Sequence, residues 1–411
     1  MSSLIYIFVI FSIFLPLSRA EVSAVEQFVP KVKLSDLVDN KTLKFVFVIV
    51  RHGEQFPDKY MMDANPSYEY KKYKFPVGEL NKMGKDTMYE IGDKLRKLYP
   101  QFLERPYVTK HLTKVTAAGN EYTIVTRESA LILREGLRGR NKKKALKRHW
   151  STRRLATTHN HEFTDAASGF FRSCKSYYPT QNISLIEKLV PLFKSEREFQ
   201  KVFKALKKHT EARVDYNYLK ILHALYELYE TTYYSGFKLP KWYTEKISDG
   251  FYKVMHQFVN ISFSTDYLKT ITGGRTLRYF LDTLDDKLNH KLEPCDTRMM
   301  VHVAYDANIS PFFAALGGEK GFTSGKEIIH HFFPPSGGFV VIEAHQVADE
   351  EDFWLKVYTS ESLYAPVRGL NITDCTVPCN YKQLRKLRQN IAVTKLEWED
   401  KCEKGPEKIP K

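Results

Sequence analysis

Cysteine is sparse in this sequence, with only Cys174, Cys295, Cys375, Cys379 and Cys402 in 411 residues. That excludes a small disulfide scaffold, whose stability leans on dense cross-linking instead of a core. Metal-ligating patterns are lacking too. The histidine groups "HNH" at 159–161 and "HH" at 330–331 have no cysteines or acids at zinc-site spacing beside them, so no metal or other cofactor is expected. Beyond residue 20 no apolar run is long enough to span a bilayer, and the C-terminal end carries no apolar tail. A polytopic, tail-anchored or lipid-linked protein is therefore not expected, nor any stable membrane anchor. Internal repeats and low-complexity tracts are missing, which excludes solenoids and disordered arrays. No nucleic-acid-binding module can be recognised, and no nucleic-acid partner is expected.

What is present begins with the apolar stretch "LIYIFVIFSIFLPLSRA", residues 4–20. Its length, Pro16, and the small residues Ser18 and Ala20 read as a signal peptide over 1–20, cut after Ala20. An uncleaved anchor is the alternative, because "MSS" carries no Lys or Arg ahead of the apolar run. Export makes disulfides available, and an odd cysteine count leaves at least one thiol unpaired. Acceptor triplets for N-glycosylation at Asn40, Asn182, Asn260 and Asn371 fit that route, and a fifth begins at Asn308. Lys and Arg number 63 against 48 Asp and Glu, a net charge of +15, which attracts anionic partners without naming one. The densest basic stretch, residues 134–154, is read as a solvated face, with contact to a polyanion as the functional alternative.

The chain is long enough for two domains or for one large α/β domain with an insertion. "KFVFVIVRHGEQFP", residues 44–57, runs apolar and without alternation into Arg51, His52 and Gly53, as does a strand covered on both faces of a parallel sheet. Such sheets hold ligands beyond the carboxyl ends of their strands, where Arg51 and His52 fall. Met88, Ile91, Leu95 and Leu98 recur at helical spacing until Pro100. "EYTIVTR" reads as a second buried strand ending on Arg127, and "RMMVHVA" as a third, ending on Tyr305 and Asp306 before the apolar helix "SPFFAALG". "GGFVVIEAHQ" and "FWLKVYTS" read as a hairpin at the sheet's edge. Residues 142–265 change to helices and aromatics. The expected fold is α/β: a mostly parallel sheet flanked by helices, built from 21–141 and 266–411, with a mainly helical insertion or cap over 142–265.

These motifs together resemble the histidine acid phosphatases, a branch of the histidine phosphatase superfamily. "VIVRHGEQFP" is similar to the family's Arg-His-Gly-x-Arg-x-Pro signature, "GELNKMG" to the region that follows it, "VAYDANISPFFAALG" to its His-Asp segment, and "DCTVPC" to its C-terminal cysteine loop. The resemblance implies a phosphate monoester substrate. His52 would be the nucleophile, Asp306 the donor of a proton to the leaving oxygen, and Arg51 and Arg127 the cations around the phosphate. It implies disulfides Cys375 with Cys379 and Cys174 with Cys402, leaves Cys295 over, needs no metal, and suggests a homodimer. A secreted or lysosomal location follows.

Two positions depart from the family pattern. Its second signature arginine is Gln55 here, and the histidine of its His-Asp pair is Tyr305. Both would still be phosphate ligands, but glutamine brings no charge and the phenol offers one donor. By analogy with removal of an oxyanion donor, each loss costs about 3 kcal/mol of transition-state stabilisation. Two expectations follow: an acid phosphatase of reduced rate, and a non-catalytic secreted protein that grips phosphate or another anion on the same fold.

Overall fold

The structure, a computed structural model, describes residues 41–66, 74–103, 111–119, 124–147, 162–167, 174–212, 214–215, 219–346, 351–362 and 365–406. The expected signal peptide, Asn40 and the "HNH" triplet lie outside them.

Strand β1 (Leu43–Arg51) is the spine. Successive side chains leave a strand on opposite faces. Phe45, Phe47 and Ile49 accordingly pack into one apolar cluster with Phe280 and Phe312, while Val46, Val48 and Val50 pack into another with Met88, Ile91 and Leu133. Each fully buried side chain of this kind contributes about 1.5–3 kcal/mol, so the unbroken apolar run is what holds two cores to one strand.

After β1 come α1 (Lys59–Ala64), α2 (Lys82–Leu98), β2 (Thr113–Ala117), α3 (Ile124–Leu137) and α4 (Lys142–Leu146). Helices α5 (Tyr177–Ser195), α6 (Arg197–His209), α7 (Ile221–Tyr234) and α8 (Glu245–Ser262) follow, then the long α9 (Asp266–Leu288). Strand β3 (Met299–Ala304) leads to α10 (Asp306–Gly317). The chain continues through β4 (Phe322–Ser324), β5 (Glu327–Ile329), β6 (Phe339–His345), β7 (Trp354–Ser360), β8 (Arg368–Ile372) and β9 (Cys379–Asn380), to α11 (Tyr381–Leu387) and α12 (Lys395–Lys404).

The α/β class with a helix-flanked central sheet holds, but the sheet is mixed and not mostly parallel. Its order is β2–β3–β1–β6–β7–β8–β4–β5, with β9 on β7. Among the described residues only β1 with β3 and β2 with β3 run parallel; the remaining pairings are antiparallel. An apolar run shows that both faces of a strand are covered, and that says nothing of its neighbour's direction. The β6–β7 hairpin is real, but it lies inside the sheet, because β6 pairs with β1 and the short β8, β4 and β5 extend the sheet beyond β7.

"EYTIVTR" is not a strand over its described residues. Helix α3 starts at Ile124, and the strand that pairs with β3 is β2, ten residues upstream of Arg127 at its C-terminal end. Every α3 residue from Val125 to Leu133 is buried, so the helix lacks the exposed polar stripe that would have betrayed it, and its β-branched start imitates a strand. Thr126 Oγ1 donates to Ala118 O at 2.7 Å, anchoring the helix to the end of β2.

Parallel pairing brings the ends of β1 and β3 together. Arg51 sits in register with Ala304, and His52 N–H donates to Ala304 O at 2.9 Å. Antiparallel β6 enters at the same edge, with Phe339 opposite Val50. Gly53 then lets α2 close on the loop: a Cβ there would fall 2.4 Å from Gly84 O, and one on Gly84 would fall 2.1 Å from Glu54 O. The start of α2 is capped by Asn81, whose Oδ1 accepts from Gly84 N at 2.9 Å.

Helices α5 to α8 share a core in which Leu189, Phe193, Leu225, Phe251 and Met255 are buried; Ala314 of α10 and Phe333 before β6 join it. That core lays α7 over the edge where β1 and β3 end. Cys174–Cys402 and Cys375–Cys379 are disulfides, and Cys295 is a free, exposed thiol.

Candidate active site

His52 is buried, and its Nδ1 lies 2.8 Å from Gly53 O. A carbonyl oxygen only accepts, so Nδ1 carries the proton and the neutral ring keeps its lone pair on Nε2. Burial, reinforced by the Arg51 charge, pushes the imidazole down to about 4. The ring is therefore neutral over most of the acidic range. Tyr305, the residue between β3 and α10, stands edge-on to it with ring centroids 5.1 Å apart.

Arg51 is held from three directions. Its Nη1 donates to Pro334 O at 2.9 Å, Nη2 forms an ion pair with Glu227 Oε2 of α7, and Asp306 Oδ1 lies 3.9 Å from the same nitrogen. Burial works against its charge, but Glu227 and Asp306 outweigh burial and keep the guanidinium firmly protonated.

Asp306 opens α10, where the helix N-terminus favours a negative charge. Burial alone would raise its carboxyl. Arg51 and His223 overturn that and hold it far below the usual carboxylate range, with the Ala307 N–H adding to the effect. His223 Nε2, from α7, is 2.7 Å from Asp306 Oδ2. Burial disfavours the charged imidazole, yet Asp306 and Glu227 raise its pKa above the ordinary 6.5. These shifts favour the proton of the resting pair on His223, hydrogen-bonded to the Asp306 to which the resemblance gives the proton donor's role.

Gln55 is also buried here and, with Arg51, Glu54 and Glu227, lines a cavity of about 40 Å³. Arg127 is buried in the first turn of α3 and is not among the residues that line this cavity. Ser129, two residues on, reaches the loop after β1 by accepting from Gly53 N at 3.2 Å. The structure thus brings Arg51, His52, Gln55, Tyr305 and Asp306 to one edge, and adds His223 and Glu227. Those two were missed, although they stand four apart in the apolar run "LHALYELY", a spacing that puts two polar groups on one helix face.

Three donor atoms of His223, Glu227 and Asp306 lie within 4.8 Å of one another, close enough to share a metal ion. The Arg51 guanidinium already lies against both carboxylates, so the protein supplies the positive charge there itself.

Of the basic stretch, residues 134–147 are described. Lys142 is taken up by Asp86 and Glu90, while Arg140, Lys143, Lys144 and Lys147 line a surface concavity with Glu135. Asn371 is exposed on β8, whereas Asn308 is buried and donates through Nδ2 to Ala167 O at 2.9 Å.

The sequence profile of the histidine phosphatase superfamily (branch 2) matches residues 42–360. Venom acid phosphatase Acph-1 of Apis mellifera is 23% identical over 360 residues, covering 85% of each chain. Prostatic acid phosphatase of Bos taurus is 23% identical over 388 residues, covering 90% of this chain and 91% of the relative. The solved structure of the phytase from Citrobacter braakii superimposes with a TM-score of 0.60 at 16% identity, over 86% of this chain and 98% of that one, a likeness of fold.

Proposed function

The chain belongs to branch 2 of the histidine phosphatase superfamily, and from that premise we propose that it hydrolyses phosphate monoesters through a phosphohistidine on His52. The observation that carries this is the His52 tautomer: a neutral buried ring with Nδ1 committed to Gly53 O and Nε2 free of a proton. Nε2 attacks phosphorus as the bond to the alcohol oxygen breaks, and that oxygen leaves with the proton shared by His223 and Asp306. Water then attacks phosphorus, the P–N bond breaks, inorganic phosphate departs, and the proton from water restores the pair. Arg51 stabilises the equatorial oxygens during both transfers. The family pattern assigns Arg127 the second cationic contact. Gln55 and Tyr305 donate hydrogen bonds where the family has stronger donors.

The groups predict a bell-shaped pH profile. His52 acts neutral, so activity rises as pH passes about 4. His223 acts protonated, so activity falls as pH rises through a value above 6.5. His223→Gln should lower kcat roughly a hundredfold for alkyl phosphates, the general-acid contribution, with a smaller loss for aryl phosphates, and should abolish the alkaline limb of kcat. The substrate's own second ionisation, near pH ~6, is unaffected by the substitution. An alkaline limb that persists unchanged in His223→Gln would remove His223 from the reaction.

The non-catalytic alternative, an anion-binding protein on the same fold, rests on Gln55 and Tyr305, which stand where the family has stronger donors. Arg51 would serve either reading, and its Nη2 is paired with Glu227. Phosphate or vanadate binding without turnover is the outcome that would select this reading.

We further propose that the protein is exported, to the lysosome or outside the cell, and carries glycans at one or more of Asn40, Asn182, Asn260 and Asn371. Peptide mapping should find none at Asn308, whose side chain is buried and hydrogen-bonded. A glycan there would contradict the packing of α10.

A further inference from the structure

The cavity beside Arg51 has a composition that a phosphate alone does not explain. Three carboxylates line it, those of Glu54, Glu227 and Glu230, against the single guanidinium of Arg51. Glu227 is spent on Arg51. Glu54 Oε2 is a buried atom without a hydrogen-bond partner. Four aromatic residues, Tyr226, Tyr234, Tyr252 and Phe333, also line it, with Gln55, Thr231, Pro335 and Ser336 completing the wall. A bare phosphate would leave the carboxyl groups of Glu54 and Glu230 without a partner, whereas carboxyl groups set among aromatic rings are what recognises an organic cation.

From this juxtaposition we infer that the cavity is a subsite for a primary ammonium group, and that the esters the protein acts on are phosphates of short amino alcohols. The second half rests on the phosphatase reading above; the first does not. Size points the same way. A volume of about 40 Å³ is room for roughly three water-sized groups, at ~10–15 Å³ for each, which suits an aminoethyl chain better than a quaternary or branched head. Charge state gives a second signature. Burial, with Glu227 beside it, pushes Glu230 up to about 8, so near neutrality it keeps a proton that an arriving ammonium would expel. The groups facing Glu230 are Glu227, Tyr226 and Tyr234 on α7, Arg51 from β1 and Tyr243 from the loop before α8. Of these, only the guanidinium favours its ionisation.

The test compares two isosteric esters, 2-aminoethyl phosphate and n-propyl phosphate, and separately titrates the full-length protein with ethylammonium chloride in a calorimeter at pH 7, in two buffers of different ionisation enthalpy. The expected results are kcat/KM about tenfold or more in favour of the amino ester, and ethylammonium binding accompanied by proton release. Glu230→Gln should bring the ester ratio near one and remove the proton release. Tyr252→Leu, which takes away a ring without changing charge, should weaken ethylammonium severalfold. If neither ester is hydrolysed but ethylammonium binds with proton release, the ammonium subsite stands and the phosphatase reading fails. If both esters are hydrolysed at equal kcat/KM and ethylammonium gives no heat, the subsite is refuted and the phosphatase reading stands.

Discussion

His52→Ala should lower kcat/KM for an aryl phosphate by roughly 10⁴-fold or more, because removing a covalent nucleophile removes the pathway and leaves only binding and electrostatics. The substitution also strips Gly53 O of its donor, which costs about 1–3 kcal/mol of stability if that carbonyl stays buried and unpaired. His52→Asn is the better-controlled companion, since its amide can still donate to Gly53 O while offering no nucleophilic nitrogen. Both variants should be inactive, and the asparagine variant should melt closer to the parent. Activity within tenfold of the parent in the folded asparagine variant would show that the phosphoryl group goes elsewhere.

The opposite direction is as informative. Gln55→Arg and Tyr305→His restore the two family donors, and each should raise kcat by roughly a hundredfold, the worth of ~3 kcal/mol of transition-state stabilisation, with the larger gain in the double variant. Gln55 is placed to make the change effective, since it is buried in the wall that Arg51 also lines. Position 305 abuts the nucleophile itself, with the rings 5.1 Å apart. The gain should appear in kcat more than in KM, because the added donors face charge that grows during transfer. Adding Glu227→Gln frees Arg51 from its carboxylate and should tighten phosphate binding. If turnover stays flat in all these folded variants, the anion-binding alternative is the better account.

Much of this site was legible because covalent order and sheet geometry coincide. Apolar runs that stop on polar residues at 51 and 305 had to be strand ends, and parallel pairing of β1 with β3 put those ends side by side. Helix α2 was readable from its spacing, with Met88, Ile91 and Leu95 buried as one stripe. Helix α3 was not, since burial on nearly all sides erased its period. His223 and Glu227 were hidden for another reason. They reach the site only because the helical core around Leu225 and Phe251 lays α7 across the sheet edge, a contact between elements some 170 residues apart in sequence. The protonation pattern was equally out of reach. Asp306 reads from the sequence as a lone acid, and only the fold sets Arg51 and His223 beside it, which favours the resting proton on the histidine.

The central claim is that Nε2 of His52 carries the phosphoryl group. It is tested most directly by mixing the enzyme with an aryl phosphate, quenching within one turnover into base, and mapping the phosphorylated peptide by mass spectrometry under alkaline conditions. The account predicts phosphate on Nε2 of His52, stable in base, lost in acid, and absent from His52→Asn. Steady turnover with no phosphohistidine, or with the label on any other residue, would contradict it.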